Sequence, residues 1–221
     1  KKYVLNLLNE PFAFSYMSER EPHMNEIFTP PMTYVPKPNN EKVPEGIYVS
    51  VTGIEGLAAH VTKAAKNFNL KLYCPPQIKD LPEADNTRIP EFIINPNIKY
   101  VLSRGGWGAG WLALLSQKPW LVVRHLPSDD PEMYFVEKTV ETLGLGVVFD
   151  SGQDLTNIIR KADALKLFNI VNINEALEKT YGTRNGITYM SKIIADYISG
   201  KSLDAYNKVV PALQGGLKYK E

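Results

Sequence analysis

From residue 46 onward, short apolar runs alternate with segments whose apolar residues recur every three or four positions. Ile47-Tyr48-Val49-Ser50-Val51 is a β-branched run that ends in Thr52-Gly53, and a helical pattern covers Gly56 to Asn67. Leu70 to Tyr73 predicts a second strand, stopped by Cys74-Pro75-Pro76, and Phe92 to Ile94 a third, short one. Tyr100 to Ser103, Trp120 to Val123 and Gly146 to Phe149 predict three more strands. Helices are predicted over about Gly110 to Gln117, Pro131 to Leu143 and Leu155 to Lys166. Strands of continuous apolar character separated by amphipathic helices indicate a parallel sheet covered on both faces. The expected fold class is therefore a doubly wound, Rossmann-like α/β domain. Such sheets bind ligands outside the carboxyl ends of their strands, near a topological switch point.

The flanks read differently. Pro11, Pro22, Pro30, Pro31, Pro36 and Pro38 punctuate the first forty residues, and proline suppresses helix interiors and central strands alike. Only one short strand, Met32 to Val35, is expected there. Residues 1–44 are read as a connecting segment, 45–200 as the α/β domain and 201–221 as a helical tail. The stretch from Ile173 predicts helices broken at Gly182-Thr183-Arg184-Asn185-Gly186 and again at Gly200.

Composition narrows the partners. The 221 residues suffice for one large domain, or for one domain with a linker. With 44% hydrophobic and 22% charged residues, this is the balance of an ordinary globular chain. The formal charge of +1 gives bulk electrostatics no reason to attract nucleic acid or a membrane surface. No apolar run approaches the roughly 20 residues that a bilayer span needs. The one cysteine, Cys74, excludes an internal disulfide and a thiolate metal cluster. It suits a reducing compartment, and a cytoplasmic location is expected. His23, His60 and His125 are too scattered to form a metal-spaced set, so neither metal nor cofactor is expected. The chain starts at Lys1 with neither a methionine nor a signal-peptide pattern, and is read as part of a longer protein.

The chemistry is concentrated in Tyr100-Val101-Leu102-Ser103-Arg104-Gly105-Gly106-Trp107-Gly108-Ala109-Gly110. A buried strand ends in serine and arginine, four glycines follow within six residues, and a helix begins. Glycine lets a ligand approach the backbone closely. A helix amino terminus offers N–H groups without intrahelical partners and about half a positive charge. Together these make a site suited to phosphate, to which Arg104 adds a planar fork that matches its oxygens. A tight strand-to-helix turn would use the same glycines without any ligand. The spacing G-G-x-G-x-G is not the dinucleotide fingerprint G-x-G-x-x-G.

This stretch resembles the H-G-G-x-x-[ST]-x-x-E-A-L signature of UDP-glycosyltransferases and MurG-like enzymes, which have the GT-B fold. Downstream, Pro127-Ser128-Asp129-Asp130-Pro131 stands where that family has P-x-x-D-Q-P, and the spacing from Asp129 to Gly144 matches without a gap. Upstream, Val49-Ser50-Val51-Thr52-Gly53 resembles the strand and turn that open the family's donor domain, and Tyr34-Val35-Pro36 its interdomain segment. The resemblance runs from about Met32 to Asp150.

It implies the C-terminal, donor-binding half of a glycosyltransferase, whose ligand is a nucleoside diphosphate sugar. Arg104, Gly105, Gly106, Trp107, Gly108, Ala109 and Gly110 would hold the diphosphate, and Thr52 and Gly53 would lie across the cleft. Asp129 and Asp130 would hold hydroxyls of the donor sugar, and Ile89, Pro90, Glu91 and Phe92 would lie near the base. The acceptor pocket and the general base would belong to an N-terminal domain of the same polypeptide, so the isolated chain is expected to bind donor without turnover. His125, just after a strand, would lie on the ligand side of the sheet as a sugar or acceptor contact. Trp107 and Trp111 could stack on a ligand or pack on the sheet. Asp129 and Asp130 could equally cap the helix that Pro131 starts.

The departures from the family pattern are specific. Leu112 stands where the family has a ribose-binding glutamate, Asp130 replaces a glutamine, and Met133-Tyr134 replaces Asn-Ala. Two alternatives stay open: a nucleotide-sugar epimerase of the same fold, and a non-catalytic module of that fold that assembles with a partner chain.

Overall fold

The computed structural model describes residues 6–9, 26–33, 37, 39–51, 53–164 and 168–208. The chain divides into two compact units, one of Pro36–Ile170 and one of Lys1–Val35 with Val171–Glu221. The division differs from that read in the sequence, because the helical stretch after Ile170 groups with the proline-rich start.

The larger unit is the expected α/β domain. Its strands are β3 (Gly46–Ser50), β4 (Lys71–Tyr73), β5 (Ile98–Ser103), β6 (Trp120–Val123) and β7 (Gly146–Phe149). They form one parallel sheet in the order β4-β3-β5-β6-β7. The helices between them are α1 (Leu57–Asn67), α2 (Trp107–Leu115) and α3 (Pro131–Leu143), and α4 (Leu155–Ala164) follows β7. Alternation within each strand sorts the side chains by face. Ile47, Val49, Leu102, Leu121, Val123, Val147 and Phe149 share a core with Val61, Ala64 and Ala65 of α1 and with Leu155, Ile158 and Ile159 of α4. The chain leaves β3 toward β4 on one side and returns as β5 on the other, so the strand order reverses between β3 and β5. There Ser50 and Ser103, the last residues of the two strands, are cross-strand partners.

One predicted strand is a helix. Phe92 to Ile94 lies in a 3-10 helix, Pro90–Ile94, in which the Phe92 amide donates to Ile89 O at 2.9 Å and the Asn95 amide to Phe92 O at 3.0 Å. Pro90 starts it, and a three-residue apolar run carries no periodicity that separates strand from helix.

In the smaller unit, β1 (Asn6–Asn9) and β2 (Glu26–Thr29) pair in parallel. The expected strand at Met32 to Val35 is corrected. Met32 and Thr33 are not in a strand, the Thr33 amide turns back to Pro31 O at 2.8 Å, and Tyr34 and Val35 lie outside the described residues. The true strand, β2, ends just before Pro30, as a residue with no N–H to give the ladder requires. Helices α5 (Phe168–Tyr181) and α6 (Gly186–Ile198) follow. Gly186 packs on backbone, since a Cβ there would stand 2.2 Å from Pro30 O. Of the expected helical tail, Asp204–Tyr206 is a 3-10 turn and residues 209–221 lie outside the described residues. No helix among the described residues is long and apolar enough to cross a membrane.

Candidate functional site

The glycine-rich stretch leaves β5 at the switch point, and its glycines do different jobs. Gly105 has φ 77°, and a Cβ there would meet Val136 Cγ1 at 3.2 Å, so the turn needs glycine on both counts. Its amide donates to Ser103 Oγ at 3.3 Å, and the same oxygen accepts the Trp120 indole N–H at 2.7 Å. Gly110 is a packing residue: a Cβ there would stand 2.3 Å from the Trp120 ring, and its amide is bonded to Gly106 O at 3.1 Å. Gly106 and Gly108 face open space, with no atom within 4 Å of where a Cβ would stand. Helix α2 starts earlier than predicted, at Trp107, and Gly106 at its N-cap has no side-chain cap. The amides of Trp107, Gly108 and Ala109 therefore come before the first i→i−4 bond, which Gly110 makes. The Gly105 and Gly110 amides are used within the loop itself.

Arg104 and Asp129, assigned by sequence to different parts of a ligand, are brought together as an ion pair. The second oxygen of Asp129 accepts the Leu126 amide at 2.7 Å, which closes the loop before α3. Asp130 is exposed, and its carbonyl accepts the Met133 amide at 2.9 Å in the first turn of α3. Gly53 is exposed with φ 71°, whereas Thr52 lies outside the described residues. Trp107 and Trp111 stack on each other, with ring centroids 6.0 Å apart and planes at 27°, and Trp111 is buried. Leu112 is buried as well.

Ile89, Pro90 and Glu91 are exposed, and Phe92 is buried. The Phe92 ring lies against Tyr73, with centroids 5.1 Å apart, and the Arg88 guanidinium covers it at 4.5 Å. Arg88 is itself fixed, donating to Asp85 at 2.7 Å and to both carboxylate oxygens of Glu41 at 2.8 and 3.0 Å. A cavity of about 230 Å³ opens beside this group, lined by Lys37, Asn39, Thr87, Arg88, Ile89 and Glu91 among others.

Beyond β6, sequence reasoning named His125 but missed its partners Glu137 and Arg124. Glu137 of α3 is 1% exposed and holds three donors: the Arg124 guanidinium, the His125 amide at 3.0 Å and His125 Nδ1 at 3.0 Å. Burial pushes its carboxyl pKa up, but the two hydrogen bonds from His125 and the charge of Arg124 outweigh it and hold the pKa below the usual value. Arg124 also reaches Asp150 at 3.1 Å and Glu141 at 3.5 Å. The signal was present in the sequence: Glu137 sits between Val136 and Val140 on the apolar stripe of its helix, where an acid needs a partner. Among the described residues no group of three or more His, Cys, Asp or Glu could hold a metal ion.

No protein-family model and no curated protein matches the sequence. Solved structures do match. The glycosyltransferase SnogD from Streptomyces nogalater superposes with a TM-score of 0.60 at 17% identity, over 86% of this chain and 56% of that one. The calicheamicin glycosyltransferase CalG4 gives 0.61 at 16% identity, over 89% and 54%. The spinosyn rhamnosyltransferase SpnG, complexed with thymidine diphosphate, gives 0.55 at 14% identity, over 81% and 54%. The fold is thus that of the Rossmann-like half of a GT-B glycosyltransferase, and the chain spans about half the length of the structures it matches.

Proposed function

We propose that this chain is the donor-binding half of a glycosyltransferase that transfers a sugar from a nucleoside diphosphate sugar to an acceptor hydroxyl or amine. The observation that carries the reading is the start of α2. An uncapped helix terminus, with Gly106 and Gly108 open to space and Arg104 beside it, stands at the switch point of a fold shared with glycosyltransferases. In the reaction the bond from the anomeric carbon to the diphosphate oxygen breaks and a bond to the acceptor forms. Negative charge grows on the departing diphosphate. In this reading the N–H groups of residues 106–109 and the Arg104 guanidinium would stabilise it, and no metal ion would be needed. The nucleoside would extend toward the Ile89–Phe92 segment and its cavity. The acceptor pocket and general base would come from an N-terminal domain, and a cytoplasmic location belongs to the same proposal.

Calorimetry with UDP, dTDP and GDP tests it. At least one should bind, and Arg104→Ala should weaken that binding by roughly 1.5–3 kcal/mol, the worth of a hydrogen bond to a charged group. No heat with any of the three at millimolar concentration would sink the proposal. Leu112 adds a second expectation. A buried leucine has no polar group to leave stranded, so UDP and dUDP should bind within roughly 1 kcal/mol of each other. A strong ribose preference would show that another residue reads the diol. The same buried Leu112, with Arg104 already paired to Asp129, favours one second reading, a non-catalytic module that assembles with a partner chain. That reading requires the nucleotide titrations to be silent.

A further inference from the structure

The group around Glu137 has no part in holding a diphosphate, yet three links place it beside the glycine turn. Ser103 pairs with Val122 in the sheet, and a Cβ on Gly105 would stand 3.6 Å from Val122 Cγ1, two residues before Arg124. Val136, the neighbour of Glu137 on α3, is the residue that a Cβ on Gly105 would touch at 3.2 Å. The Arg104–Asp129 pair ties the segment after His125 back to the same turn.

The orientation of His125 follows from its partner. One oxygen of Glu137 accepts both the His125 amide and Nδ1, each at 3.0 Å. A carboxylate can only accept, so Nδ1 carries the proton. In the neutral ring Nε2 is then an acceptor, on the ring edge away from Glu137. The Tyr134 ring and the imidazole form a T-shaped pair with centroids 5.0 Å apart, and Lys138 Nζ lies over the Tyr134 ring at 5.6 Å. Despite these contacts the pair stays open to solvent, His125 at 31% and Tyr134 at 39% exposure. A partly exposed aromatic ring beside a fixed acceptor suits a sugar, which offers C–H bonds to one and a hydroxyl to the other. Asp129, the expected sugar reader, already uses both oxygens, on Arg104 and on the Leu126 amide.

We propose that His125, oriented by Glu137 and flanked by Tyr134, contacts the transferred sugar and accepts one of its hydroxyls at Nε2. The assignment rests on the donor-site reading above. It makes His125 a specificity-determining residue and Glu137 a positioning residue.

Three matched ligand pairs test it by calorimetry on the full chain: UDP and UDP-glucose, dTDP and dTDP-glucose, GDP and GDP-mannose. In the unaltered chain one sugar nucleotide should bind more tightly than its own diphosphate. His125→Asn keeps an N–H where Nδ1 stands and so keeps the bond to Glu137, but it has nothing at Nε2. It should lose roughly 3- to 10-fold in affinity for that sugar nucleotide, with the diphosphate unchanged. His125→Gln, which reaches the Nε2 position, should recover part of the loss. Each comparison is a ratio within one preparation, so a partly folded sample does not mimic the effect. The proposal is overturned if His125→Asn binds both ligands as the unaltered chain does. It is also overturned if the sugar adds nothing to affinity in the unaltered chain. Silence of the unaltered chain toward all six ligands would instead defeat the donor-site reading, and this proposal with it.

Discussion

Gly146→Ala is expected to lower the stability of the five-stranded unit by at least about 3 kcal/mol, the upper end for overpacking a close-packed site. Gly146 opens β7 directly across from Trp120, and a Cβ there would stand 1.8 Å from the Trp120 carbonyl oxygen and 2.6 Å from its carbonyl carbon. A clash with a flexible side chain can be relieved by a change of rotamer. A clash with the backbone of a central parallel strand cannot, because moving Trp120 also moves its pairing with Val101. Gly152→Ala is the control, since nothing lies within 4 Å of its Cβ position. Urea titrations followed by far-ultraviolet circular dichroism should leave the control within about 0.5 kcal/mol of the parent. Equal midpoints for the two variants would show that the β6–β7 ladder has room that the geometry denies it.

Glu137→Ala should cost about 3–5 kcal/mol at neutral pH, the range for removing one partner of a buried ion pair. The His125 amide and ring lose their acceptor outright, while Arg124 keeps Asp150 and Glu141. The lower end of that range is therefore expected. The effect carries a pH signature. Because the folded carboxyl pKa lies below the unfolded value, its contribution is complete above the unfolded pKa and is lost as pH falls through the folded one. The gap between parent and variant should thus narrow on titration from about pH 7 to about pH 3, bracketing the ordinary glutamate value near 4.3. A gap that stays constant across that interval, or that is absent at neutral pH, would mean that the Glu137 charge does not support the fold.

The strands of the larger unit were legible wherever apolar residues ran without interruption. Trp120–Val123 and Gly146–Phe149 fall where the pattern puts them, because each is short, β-branched and bounded by turns. Pro90–Ile94 was not legible as a helix, since its conformation depends on Phe92 packing between Tyr73 and Arg88. Strand β2 was hidden by its prolines: Ile27 and Phe28 are buried, but Pro30 and Pro31 beside them argued for irregular chain. In the site, the strand–glycine–helix order was plain, and the division of labour among the glycines was not. Whether a glycine serves a turn, a neighbour or open space depends on Val136 and Trp120, which arrive from elsewhere in the chain. The Arg104–Asp129 pair was out of reach for the same reason, since nothing local joins residues 25 positions apart.

Trp120 ties these observations together. Its indole N–H donates to Ser103 Oγ, which also accepts the Gly105 amide, and the outer atoms of the same ring pack against Gly110. One side chain from the adjacent strand therefore clamps the loop at both ends. In an evolving lineage, residues 103, 105, 110 and 120 would change together or not at all, while Gly106 and Gly108, whose Cβ positions are open, could be exchanged one at a time. New anion preferences could then arise at those two positions while the clamp that presents them stays in place.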